Sequence, residues 1–234
     1  MASANRVPLM GSAIGQVLPI AVGVALSPLP IVAVVLLLVT EHGHANGPAF
    51  LVGWLLGLAI IGAIVLSIAS DVGATDHGKP AAWVGVLKLI LGALLLLAGL
   101  RQLRGRPRGG DQVPTPKWMG KLETFTPVQA LSAGVLMSGV DPKNLALAVA
   151  AAATIAQTGI RAGQQAIAYA TFVVVATIGV GSPVILYLAL GSRSRHLLEQ
   201  LKAWMAQNNV VIQSVLFLVL GVKLVGDAIG ALST

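Results

Sequence analysis

The stretch GVALSPLPIVAVVLLLV (Gly23–Val39) sets Pro28 and Pro30 inside an apolar run, and GVLMSGVDPKNLALAVAAAA (Gly134–Ala153) does the same with Pro142. Proline stops a helix that reaches it but starts one well, because its missing N–H falls among donors that have no partner in a first turn. Ser27 and Asp141 stand directly before these prolines, at the position where serine and aspartate cap helix N-termini. Each stretch therefore reads as helix, stop and restart. Working outward, apolar blocks recur at about 11–39, 47–69, 81–100, 127–157, 165–190 and 208–230, and each supplies the roughly 20 residues that one bilayer crossing requires.

Composition agrees. Of 234 residues, 56% are hydrophobic and only 10% are charged, against about 25% charged in soluble domains, so a water-soluble globule is excluded. The absence of cysteine removes disulfides, thiolate metal sites and thiol redox chemistry. The first block does not read as a cleavable signal, since its apolar run continues past Pro30 with no basic segment before it. No Walker A, G-x-S-x-G or H-E-x-x-H pattern occurs, so neither an enzyme nor an ATP-driven pump is expected, and no cofactor. The clusters Glu41-His42-Gly-His44 and Asp71 to His77 lack metal-ligand spacing and read as loop. The net charge of +7 is assigned to cytoplasmic loops and anionic lipid, not to nucleic acid.

The basic residues fall on one side of the six-span pattern. Arg101, Arg104, Arg106, Arg108, Lys117 and Lys121 follow span three, and Arg193, Arg195 and Lys202 follow span five, whereas the other loops hold only Arg6, Lys79 and Arg161. The positive-inside rule then places both termini outside a plasma membrane. Gly23 and Ser27 precede Gly134 and Ser138 by 111 residues, and Gly99-Leu-Arg101 echoes Gly221-Val-Lys223. Three spans per half invert the second half, so the expected fold is an all-α integral membrane protein of two inverted three-helix repeats with helices one and four broken. Residues 1–105 form the first repeat, 106–126 a basic linker and 127–234 the second repeat. Such repeats are a transporter signature.

The breaks nominate the site. Two half-helix N-termini converging near the midplane favour an anion, and an ionisable group at that depth costs at least ~2.5 kcal/mol, so Asp141 and Lys143 mark function. The candidate substrate-binding set is Ser27, Pro28, Pro30, Lys88, Ser138, Asp141, Pro142, Lys143 and Asn144, with Asp141 also available for proton coupling. Lys88, with no acid beside it, is a candidate cavity lining, whereas Lys223 and Asp227 pair four apart near the interface. Gly179-Val-Gly181-Ser182-Pro183 in span five reads as a kink or a hinge.

After Gly191, SRSRHLLEQLKAWMAQNN sets Leu197, Leu198, Leu201, Trp204 and Met205 on one face and reads as an interfacial helix. PKWMGKLETF, with Trp118, Leu122 and Phe125, is a shorter analogue. Arg101, Arg104, Arg106, Arg108, Arg193, Arg195, Lys202 and Trp204 form the candidate lipid-headgroup surface. The small residues Gly53 and Gly57, and Ala150 to Ala153, permit close helix approach within the chain or across a homodimer.

ALSPLPIVAVVLLL, NGPAFLVGWLLGL, RQLRGRP, DPKN and NNVVIQSVLFLVLGVKLVGD resemble, over essentially the whole chain, the GAP (peptidoglycolipid addressing protein) or SfLAP (sulfolipid-1-addressing) family of actinobacteria, within the LysE-type translocator superfamily. The resemblance implies movement of a glycolipid to the cell surface, and it matches Pro28 and Pro30 to the first-half proline motif. It matches Asp141, Pro142 and Lys143 to a second-half motif that is commonly N-P-K, so Asp141 is a departure. The leading expectation is an alternating-access exporter or flippase for a polar-headed, anionic envelope lipid. The alternatives are a LysE-type exporter of small amino acids or cations, or a non-transporting accessory subunit of a larger lipid-export machinery.

Overall fold

A computed structural model describes residues 10–72, 75–76, 79–80, 82–104 and 124–233. The first apolar block is two helices, α1 (Met10–Ala25) and α2 (Pro28–Leu38), bent by 52° across Leu26 and Ser27. Then follow α3 (Gly43–Val72), α4 (Ala82–Arg104), α5 (Pro127–Gly139), α6 (Pro142–Ala156), α7 (Ala162–Leu190) and α8 (Arg195–Leu232), with a 3-10 turn at Gly191–Ser194. A two-residue pairing of β1 (Thr75–Asp76) with β2 (Lys79–Pro80) lies between α3 and α4. α3, α4, α7 and α8 are each long and apolar enough to cross a bilayer, and α1 with α2 makes a fifth such span. Their outward faces carry Ile60, Ile64 and Ile68, Leu94 and Leu97, Val174 and Ile178, and Val215, Val219 and Val222, all more than half exposed. A multi-pass membrane protein presents such apolar stripes to lipid.

The two helices that restart after a break form the centre. In α2, Ile31 to Val35, Leu37 and Leu38 are all buried, and in α6 so are Leu147, Ala148 and Ala150 to Ala156. A helix apolar on every side must be covered on every side. Around this pair α4 lies along α8, α3 packs on α5, and α1 packs on α7 and α6. The bulky filling comes from Phe50 and Trp54 of α3 and Phe172 of α7.

Glycine sets the closest approaches. A Cβ on Gly53 would run into the Leu131 carbonyl, one on Gly57 into the Ser138 hydroxyl, and one on Gly134 into the Phe50 carbonyl. The small-residue faces at Gly53 and Gly57 and at Ala150 to Ala153 are thus buried within the chain. Gly62 likewise makes room for the Tyr169 ring, whose hydroxyl donates to the Leu58 carbonyl at 2.9 Å.

Two sequence expectations change. The segment after Gly191 is not a separate interfacial helix but the start of α8, which runs 38 residues unbroken, or ~57 Å. Nothing between Arg195 and Leu232 breaks it: there is no proline, and Asn208 donates its amide back to the Trp204 carbonyl at 2.8 Å. The supposed single apolar face also divides, with Leu198 and Met205 buried and Leu197 and Trp204 over half exposed. α7 runs on through Pro183, where the sequence suggested a kink or a hinge. Pro183 leaves the Gly179 carbonyl without its helical partner, the Ser182 hydroxyl donates to that carbonyl at 3.4 Å, and Gly179 itself lies against the Ala25 carbonyl at the α1–α2 break.

That contact is testable. Gly179→Leu should lower the thermal midpoint of detergent-purified protein, at an overpacking cost of ~1–3 kcal/mol. Gly226→Leu, whose Cβ would meet open space, should leave it unchanged; equal midpoints in circular dichroism melts would mean that α7 does not support the break.

Candidate functional site

The two breaks face each other. Asp141 caps α6: its Oδ1 accepts from the Lys143 N–H at 3.1 Å and the Asn144 N–H at 3.0 Å. Ser27 holds the same position before α2, but its side chain does not cap. The Ser27 hydroxyl instead donates across the gap to Asn144 Oδ1 at 2.9 Å and accepts from the Lys143 ammonium. Asn144 Nδ2 donates to the Met137 carbonyl at 2.9 Å, an acceptor in the last turn of α5 just before the chain breaks. Ser27 and Asn144 are fully buried, while Asp141 and Lys143 are half-buried.

These bonds alter the expected electrostatics. At α6 the first-turn amides already have an anion, the protein's own Asp141. At α2, Pro28 and Pro30 carry no N–H, so Leu29 is the only residue of 28–30 with a donor to offer. Two bare helix dipoles are therefore not what meets a ligand. The available positive group is the Lys143 ammonium, held by one hydroxyl and retaining further protons to donate.

A half-open cavity of about 230 Å³ adjoins this network, lined by Ser27, Leu29, Pro30, Asp141, Pro142, Lys143, Asn144, Gln213 and Phe217. Sequence reasoning missed Leu29, Gln213 and Phe217. Gln213 had a signal, an amide inside the apolar run of the last block, but nothing in the sequence joins α8 to the breaks. Gln213 accepts from Gln102 at 2.9 Å and donates to Asn209 at 2.8 Å. Gln102 follows Arg101 and precedes Arg104, so the α8 wall of the cavity reaches the basic end of α4.

The remaining candidates lie elsewhere. Pro28 is buried in the core, and Ser138 turns to α3, its hydroxyl donating to the Val135 carbonyl at 3.2 Å beside Gly57. Lys88 is fully buried on α4, 14 residues or ~21 Å from Gln102 along the helix. Lys223 and Asp227 form the expected pair, at 2.6 Å. Arg101, Arg104, Arg193 and Arg195 are exposed, Lys202 is half-buried, and Trp204 is 56% exposed. Arg106, Arg108, Trp118 and most of the basic linker lie outside the described residues.

Residues 17–230 match a family model described as Sap, sulfolipid-1-addressing protein, or SfLAP. The chain belongs to the SfLAP family. No curated protein and no solved structure matches it. In this SfLAP member the matched stretch contains both breaks and every residue that lines the cavity.

The crossing hydrogen bonds predict an order of cost. Asn144→Leu leaves the Met137 carbonyl unpartnered and takes from the Ser27 hydroxyl its acceptor, with only the Lys143 contact remaining, and should destabilise by ~1–3 kcal/mol. Ser27→Ala removes a hydroxyl but leaves Asn144 bonded to α5, so its thermal midpoint should fall less. The reverse order in melting experiments would show that Asn144 does not tie α5 to α6.

Proposed function

We propose that this SfLAP protein moves the polar, anionic head of an envelope lipid across the membrane by alternating access around the Ser27–Lys143 crossing. The observation that carries the reading is one ammonium, Lys143, set between two broken helices beside a half-open cavity. A charge at such depth is costly and marks a substrate path. The cavity volume of about 230 Å³ suits a head group without its acyl chains, given that drug-sized ligand pockets run from ~300 Å³ upward. The acyl chains then stay among the apolar outer faces. Asp141 acts as the cap that holds Lys143 in place, and its second oxygen is available to a coupling proton.

An inverted-repeat, six-span, LysE-like architecture belongs to the same proposal. Packing supports it: exchanging the halves maps α1 against α7 onto α5 against α3, maps α2 against α8 onto α6 against α4, and returns α4 against α8 to itself. By the positive-inside rule the basic ends face the cytoplasm and both termini lie outside the plasma membrane. A small-solute exporter is the second reading, because a free amino acid also fits the cavity and Asp141 supplies a carboxylate; engagement of that carboxylate by two backbone amides weighs against it. The accessory-subunit reading places function on the exposed Arg101 and Arg104.

Native mass spectrometry of the gently purified protein separates these readings. Wild type should retain anionic lipid, and Lys143→Met should lose it by about ten- to a hundredfold in affinity, as removal of a charge-assisted contact of ~1.5–3 kcal/mol requires. Flipping of phosphatidylglycerol in proteoliposomes should fall with it. Undiminished retention and flipping in Lys143→Met, with loss in Arg101→Ala/Arg104→Ala, would move function to the basic surface and overturn the transporter reading.

A further inference from the structure

Away from the basic ends, α4, α6 and α8 enclose polar groups that the Lys143 cavity does not use. Lys88 is fully buried and its Nζ has no hydrogen-bond partner among the described residues, and the same holds for Oγ1 of the fully buried Thr154 and for Oε1 of Gln157. α4 and α6 meet where Val84 packs with Ala153. The two helices run antiparallel, so Lys88 lies one turn from Val84 toward the start of α6, Thr154 follows Ala153 at the contact itself, and Gln157 lies one turn away on the other side. α8 closes the third side: Gly85 abuts Leu232 and Gly92 abuts Gly221 and Val225, which brackets Lys88 at the level of Asp227 and Ala228. The charged groups that act on Lys88 are Asp227 and Lys223, themselves paired at 2.6 Å. Among the described residues, two ammonium groups against one carboxylate leave one positive charge uncompensated.

A structural role does not account for this. A lysine that only fills space would be replaced at no loss by an apolar residue, and a buried cation whose one nearby acid among the described residues is already paired opposes the packing around it. Cost without a partner points to a partner that comes and goes. We propose that the ends of α4, α6 and α8 away from the basic loops form a second anion site, closed in this conformation, in which Lys88 and Thr154 receive a phosphate, sulfate or carboxylate head after it leaves Lys143. The inference rests on the proposed transport of an anionic head. It adds the place where the head is held on the far side, with Asp227 kept neutralised by Lys223. The two sites lie at opposite ends of α6, 11 residues or ~17 Å apart, so one helix carries both.

The test uses the cysteine-free sequence. Thr154→Cys supplies a single thiol within the site and keeps Lys88; it is reconstituted in phosphatidylcholine vesicles and exposed to a membrane-impermeant maleimide. The thiol should react, and phosphatidylglycerol in the vesicles should slow the reaction by about tenfold, the effect of a charge-assisted contact. Adding Lys88→Met should abolish that protection, and Lys88→Arg should keep it. Protection by inorganic phosphate in place of phosphatidylglycerol would support the anion site and assign it to free anions. In parallel, Lys88→Met should raise or preserve the thermal midpoint and keep anionic lipid at Lys143, yet lose phosphatidylglycerol flipping. A thiol that never reacts, protection that survives Lys88→Met, or Lys88→Met flipping at the wild-type rate would overturn the second site. Absence of flipping in wild type would instead overturn the transport reading, and the labelling result would still decide whether the second site opens.

Discussion

A bilayer offers no water to a broken helix, so every carbonyl and amide released by a break must find a partner in the protein. That constraint governs the centre of this molecule. Two apolar helices stop and restart, and four neighbouring side chains or their amides absorb the consequences: Asp141 takes the first amides of α6, Asn144 takes a carbonyl from the end of α5, Ser27 joins Asn144 across the gap, and Lys143 joins Ser27. The same prolines that force the breaks also lower the demand, since Pro28, Pro30 and Pro142 bring no N–H to satisfy. The backbone repair and the candidate site are therefore one network. A ligand that draws Lys143 away from Ser27 acts directly on the contact that joins the two breaks.

Burial of α2 and α6 follows from that arrangement. A half-helix with an open polar end cannot face lipid at that end, so the restarting helices take the centre and the long, uninterrupted helices take the perimeter. The composition of each element fits its place. α2 is apolar on all sides, α6 is largely alanine, and α3, α4, α7 and α8 keep isoleucine, leucine and valine for their outward faces. Small residues then let the perimeter close on the centre, with Gly179 against the Ala25 carbonyl and Gly57 against Ser138.

Much of this was legible in the sequence because local rules set it. Proline after a capping residue announced both breaks, and each apolar block but the last begins and ends within a few residues of the helix or helix pair that occupies it, whereas α8 starts 13 residues before its block. The Lys223–Asp227 pair followed from spacing alone. Legibility failed where the answer depended on distant parts of the chain. Ser27 and Asp141 stand in equivalent local contexts, yet only Asp141 caps, because the Ser27 hydroxyl has partners 116 and 117 residues away. Ser138 carries the same polar signal as Ser27, but Gly57 on α3 claims its side of α5. Gln213 and Phe217 enter the site only through the packing of α8 against α2 and α4. The polar character of the segment after Gly191 suggested a separate surface helix, whereas no proline interrupts the backbone ladder between Arg195 and Leu232, so the segment continues into α8.

The placement of charge carries the last step. An unpaired cation in a membrane core is expensive wherever it sits, and among the described residues two lysines lack a dedicated carboxylate: the half-buried Lys143 rests on a hydroxyl, and the buried Lys88 has an acid that Lys223 already holds. A protein under selection for stability alone would lose such groups, since apolar replacements of buried charges are commonly neutral or stabilising. Both lysines sit beside α6, one at its first turn and one near its last. α6 presents Ala148 and Ala150 to Ala153 to its neighbours, a surface of low relief with few interlocking side chains to hold it in one register. Its first turn is capped by the Asp141 side chain and its last is closed by the Gln157 N–H on the Ala153 carbonyl and the Thr158 hydroxyl on the Ile155 carbonyl, while Thr154 Oγ1 has no partner among the described residues. The backbone of the helix is thus satisfied at both ends and a spare polar side chain stands near each, Lys143 at one and Thr154 at the other, which suits an element whose two ends serve an anion in turn.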